Sequence, residues 1–205
     1  MGLGSSHHGH LGLVAFGHLG LHYHTNQKAN EMTNGNIEAI AFWQRDTFGH
    51  AHQCLKLHRS MLEVAEAIAV QSSPRLFVGE LADIWITLTG PAVAVGCTNE
   101  GVQKVMNQNL TGSTPIPTTE IAVATVCDTI VQWQTIELQK EFREGYEEPK
   151  DDTTILGYQC FWNLVQAARS SGVSFRELLE AIDHKMTINK SRTWDTNTEG
   201  FSRHV

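Results

Sequence analysis

Basic residues are the minority charge in this chain: 15 Lys and Arg stand against 22 Asp and Glu, a formal net charge of −7. That balance argues against a nucleic-acid surface, which would show as a basic patch. It leaves an anionic small substrate open, because bound metal ions reverse the sign of a local site. Cysteine is sparse too. Cys54, Cys97, Cys127 and Cys160 form no C-x-x-C pair, a spacing unlike a zinc site, and they read as small apolar core thiols of a cytoplasmic protein. No Lys or Arg precedes Lys28, so the basic start of a signal peptide is missing. The apolar run in that region is short and broken by glycine, which excludes a membrane span there. No segment shows strand alternation or a glycine-flanked hairpin. Glu-x-x-His is absent as well, which disfavours a ferritin-like di-iron site.

What is present is an ordinary globular composition, 41% hydrophobic and 18% charged, in 205 residues, enough for one well-cored domain. Residues 1–31 stand apart: a Gly- and His-rich leader with His7, His8 and His10, read as a disordered arm upstream of a folded domain over 32–205.

The domain reads as all-α, an antiparallel helical bundle. A first helix runs from Asn36 towards Gly49. A second follows His52, with Leu55, Leu62 and Ala69 and their neighbours Met61, Ala65 and Ile68 as its apolar stripe. "SSPRLF" starts a third, expected to stop or kink at "TGPA", because Pro91 lacks a backbone donor. "TNEGVQKVMNQNL" is a short fourth helix and "TGSTPIPTTE" a linker, with Thr118 or Thr119 as cap of a long fifth. Ser174 and Glu177 form a capping box for the last helix, which is expected to continue to Trp194. A weak internal echo suggests pseudo-repeat halves over 36–110 and 117–194. In the second half Glu141 and Glu144 answer to Glu63 and Glu66, and nothing answers to Glu80 and Asp83.

Four acids carry the chemistry. Residues three apart on a helix share one side, so Glu63/Glu66 and Glu80/Asp83 are two acidic pairs. The turn between their helices is short, which packs the helices antiparallel and lets the pairs meet. Acid pairs of this spacing recur at Glu141/Glu144 and Glu177/Glu180, and Glu63/Glu66 alone would read as solvated surface. Glu80/Asp83 does not, since Leu81, Ala82, Ile84, Trp85 and Ile86 leave little solvated face. Unshielded, the four would repel or take up protons; hard divalent cations remove that repulsion.

Leu62-Glu63-Val64-Ala65-Glu66 followed by Glu80-Leu81-Ala82-Asp83 resembles the E-E-x-x-E and E-x-x-D motifs of the MazG-like all-α NTP pyrophosphohydrolases, with Leu62 in place of the first acid. "FWQRDTFGH" near the start, and "KMTINKSRTW" with "EGFSRH" at the end, look like the phage members of that family (the MazZ group). The resemblance implies hydrolysis of a (d)NTP between the α- and β-phosphates, giving a (d)NMP and pyrophosphate. It implies Glu63, Glu66, Glu80 and Asp83 as ligands of two or more Mg²⁺ ions, with Mn²⁺ able to substitute. Glu63 or Glu66, Glu63 for preference, would take the water proton. Lys185, Asn189 and Arg192, on one side of the last helix, would offer donors to the triphosphate; a solvated basic helix end is the plain alternative. Trp43 and Gln44 resemble the base-binding residues, with a core Trp beside an exposed Gln as the alternative, and His50, His58 and Trp85 are further candidates. The phage branch acts on purine dNTPs, turning dGTP into dGMP for 2-aminoadenine synthesis, and the family forms homo-oligomers, here a dimer or tetramer. Rival expectations are a dUTPase-like housecleaning enzyme and a non-catalytic helical interaction protein.

Overall fold

Several of the helices begin where the sequence supplies a cap. The computed structural model describes residues 35–50, 52–110, 115–143, 145, 152–196 and 202–204; the leader over 1–31 and Glu144 lie outside them. Helix α1 (Ile37–Phe48) starts at Asn36, whose Oδ1 accepts from the amides of Glu38 (3.0 Å) and Ala39 (3.1 Å). It ends at Gly49, where φ is +72°. Helix α2 is Gln53–Val70, and α3, Pro74–Ala94, places Pro74 in its first turn. Helix α4 is Asn99–Leu110, and α5 (Thr119–Phe142) is capped by the Thr118 hydroxyl. Helix α6 is Asp152–Ser170. Helix α7 (Phe175–Ser191) opens with the reciprocal Ser174/Glu177 capping box. The architecture is an all-α bundle.

Helix α3 is its hub, packing on α1, α2, α6 and α7, while α5 lies against α2 and α6. Phe77, Leu81, Ile84, Trp85 and Leu88 of α3 are fully enclosed, and Trp85 stacks obliquely on Phe161 of α6 at 4.6 Å. Among the described helices α3 alone is long and apolar enough to cross a bilayer, but 61% of its apolar window is buried against its neighbours. The two sequence halves therefore share one core, with α5 on α2 and α6 on α3. Gly157 of α6 permits a close approach in that core: a Cβ there would meet Cys97 Sγ at 2.6 Å and Trp133 at 3.4 Å.

Three expectations are corrected. Helix α3 does not stop at Pro91 but runs on to Ala94. Gly90 has no Cβ to clash with the proline ring. Pro91 withholds the amide that would reach the Thr87 carbonyl, and beside that turn α3 is tied by side chains: the Ile86 carbonyl accepts from Gln44 Nε2 (2.8 Å) and from the Thr89 hydroxyl (2.7 Å). On α2 the buried face is Cys54, Leu57, Ser60, Val64 and Ala67, with Glu63 beside them. The expected stripe through Leu55 and Leu62 points outward, 37% and 41% exposed. Both sets repeat every seven residues, and the smaller side chains of the first let α3 and α5 approach closely. The last helix ends at Ser191, and a short hairpin follows, Trp194–Thr196 (β1) antiparallel to Ser202–His204 (β2). The Trp194 indole donates to the Asn189 carbonyl (2.9 Å), one of the orphan acceptors at that helix end.

Candidate metal centre

The turn over residues 71–73 folds α3 back along α2, and the two acidic pairs meet across the helix pair. One carboxylate oxygen each from Glu63, Glu66 and Glu80 lies within 4.8 Å of the other two. Glu63 is 4% exposed, Glu80 half-buried and Glu66 exposed, so the trio forms a pit with one open side. Asp83, one turn along α3 from Glu80, stands at its shoulder, hydrogen-bonded and ion-paired to the Lys185 ammonium of α7.

Burial raises the carboxyl of Glu63 from its ordinary 4.5 to about 7; Arg59 pulls it down, while Asp83, Glu66 and Glu80 push it further up. Glu80 is also raised, first by burial, with Lys185 opposing and Asp83 and Glu66 adding. Burial raises Asp83 too, against the hydrogen bond and charge of Lys185 and the charge of Arg192. Like charges in a partly dry pit thus take up protons unless a cation joins them. Arg59, four residues before Glu63 and 2.6 Å from it, is the counter-charge the motifs do not mark. Its i,i+4 spacing was the available signal. The donors are oxygen only, the set that Mg²⁺ and Mn²⁺ take.

The remaining candidates fall into two places. Lys185 joins the carboxylates directly, and Arg192 acts on Asp83 through its charge. Lys185 and Asn189 lie on the C-terminal half of α7, whereas Arg192, expected on the same side of that helix, is its extended C-cap, with Nη1 donating to Asn189 Oδ1 (3.1 Å). Trp43 packs edge-on against Phe48 (5.4 Å) and Trp194 (6.5 Å), an aromatic cluster at the start of the hairpin. Gln44 is turned into α3: its Nε2 donates to Ile86 O, and the Thr89 hydroxyl, already donating to that carbonyl, lies 3.1 Å from Gln44 Oε1. That amide holds α1 to α3. Trp85 is a core residue whose Nε1 donates to Gly35 O (3.2 Å), whereas His50 and His58 are exposed. Glu141 does not join the acids but lies beside His52, 3.5 Å away. Set against known protein families, curated proteins and solved structures, the chain matches none.

Proposed function

We propose that this chain is a Mg²⁺-dependent (d)NTP pyrophosphohydrolase, releasing a (d)NMP and pyrophosphate, with purine deoxynucleotides such as dGTP as substrates. The observation that carries the reading is the convergence of Glu63, Glu66 and Glu80 within 4.8 Å, with Asp83 beside them, at the positions of the MazG-like motifs. An oxygen-only cluster has the donor chemistry of a Mg²⁺ site, and these four residues would hold the ions. When bound, such ions neutralise phosphate oxygens and acidify a coordinated water.

The chain's own groups supply the rest. Glu63 would accept the water proton at a carboxylate oxygen. Arg59, 2.6 Å from Glu63, holds that carboxylate in place. Lys185 and Arg192 stand on the Asp83 side and present cationic donors to the phosphates. Trp43, packed on Phe48 and Trp194, would be the residue that stacks on the base.

We also propose that the protein is a homo-oligomer. Leu55, Leu62 and Ile68 of α2 and Val131 and Leu138 of α5 are exposed on adjacent helices. Two helices of this length present roughly 600 Å² per copy, which brings a two-fold pair near the size of a stable interface. The same exposed side chains favour one rival reading, a helical interaction protein without catalysis.

The test is product analysis with Mg²⁺ and each dNTP in turn. dGMP plus pyrophosphate, with little product from pyrimidines, is the expected result. Monophosphate from every substrate would move the assignment to housecleaning. No product with Mg²⁺ or Mn²⁺ would leave the interaction reading.

A further inference from the structure

A second cluster of ligating side chains lies roughly 14 Å along α2 from Glu63, at the first turn of the helix. His52 is the N-cap of α2, and its Nδ1 accepts from the Cys54 amide at 3.3 Å. The last turn of α5 comes against this point and sets Glu141 Oε2 3.5 Å from His52 Nε2. The Cys54 thiol completes the group: one donor atom from each of His52, Cys54 and Glu141 lies within 4.8 Å of the other two. We propose that these three residues form a transition-metal site, of the kind that takes Zn²⁺, joining the start of α2 to the end of α5.

The donors are an imidazole, a thiol and a carboxylate, the three side-chain types that zinc accepts. A tetrahedral ion with bonds of about 2.0–2.3 Å holds its donors roughly 3.5 Å apart, and the imidazole and carboxylate already stand at that separation. The thiol is buried while His52 and Glu141 are exposed, so the fourth position is left to water or an added ligand. Glu137, on the preceding turn of α5, is taken by Lys140 at 2.9 Å. The partner that the structure gives Glu141 is the imidazole, which a metal can replace as its counter-charge. Burial first, and then Glu141 and Glu137, push the Cys54 thiol up, so without metal it carries its proton.

With Nδ1 accepting from the Cys54 amide, the ring proton sits on Nε2, facing Glu141. Coordination through Nε2 moves that proton to Nδ1 and gives up the cap hydrogen bond. The thiol proton leaves to solvent, and the sulfur lone pair forms the metal bond. This nitrogen- and sulfur-containing set selects different ions from the oxygen-only pit, so the proposal stands or falls independently of the pyrophosphohydrolase reading.

The experiment is a Co²⁺ titration of the full chain, in reductant and without nucleotide, followed by absorbance. A thiolate-to-cobalt charge-transfer band saturating at one ion per chain, and bleached by Zn²⁺, is expected. Cys54→Ser should abolish it and Cys127→Ser should not. Neither the leader histidines nor the carboxylate pit includes a thiol, so Co²⁺ bound at either would give no thiolate band. Because Cys54 is buried, Glu141→Gln at an exposed position provides a variant that keeps the fold, and it should weaken Co²⁺ binding at least about tenfold. No charge-transfer band in the wild type, a band undiminished in Cys54→Ser, or unchanged affinity in Glu141→Gln would overturn the proposal.

Discussion

Replacing Glu63 by Gln should convert a pH-dependent stability into a flatter one, and the size of the change follows from the pit. The carboxyl is raised from 4.5 to about 7, chiefly by burial. Between those values the folded protein holds a proton that the unfolded chain has released, so stability falls as pH rises through the window and levels off above it. At about 1.4 kcal/mol per pKa unit, the full loss is about 3 kcal/mol. Gln keeps the volume and an acceptor for Arg59 but cannot ionise. In EDTA, urea denaturation of wild type and Glu63→Gln from about pH 4 to about pH 8.5 should give matching stabilities at the acid end. At the alkaline end the variant should lead by about 3 kcal/mol. Adding Mg²⁺ or Mn²⁺ at the alkaline end should narrow the gap, since the ions stabilise only the ionised pit. Parallel pH curves for the two proteins would refute the argument, because they would mean that Glu63 carries no proton linkage.

Three further outcomes are expected. Asp83→Asn should keep the helical circular dichroism spectrum and lower dGTP turnover at least about a hundredfold; full activity would remove the metal-site argument. Gly157→Ala should cost about 1–3 kcal/mol in chemical denaturation, since the new methyl would stand 2.6 Å from Cys97 Sγ, below contact distance. Leu62→Asp should shift the protein towards monomer in sedimentation velocity, and an unchanged distribution would exclude this face of α2 from self-association.

The helices were legible because their start signals are local. Asn36, Thr118 and the Ser174/Glu177 pair cap the helices that the residue pattern placed after them. The passage of α3 through Pro91 was not legible, since a proline reads locally as a stop and the packing of α3 on four other helices is set by residues distant in sequence. The buried face of α2 was misread because Leu55/Leu62 and Leu57/Val64 have the same seven-residue spacing. Only the positions of α3 and α5 decide between them. Glu63, Glu66, Glu80 and Asp83 could be brought together on paper, because two motifs and one short turn determine their meeting. The pairing of Asp83 with Lys185 spans 102 residues, and no periodicity announces it. The cluster at His52, Cys54 and Glu141 is equally non-local, and cysteine spacing alone pointed away from it.

The ion pairs on the carboxylate pit make any metal's arrival an exchange of cations. Arg59 already occupies Glu63, and Lys185 already occupies Asp83. With all four acids ionised, these two bases leave two negative charges. One divalent ion would bring the pit to neutrality, and a second would make it electropositive, a surface suited to a polyphosphate. The first ion would also loosen the hold of Asp83 on Lys185, freeing an ammonium at the mouth of the pit when an anionic substrate needs one. Occupancy of the pit would in that way set the charge that an approaching nucleotide meets.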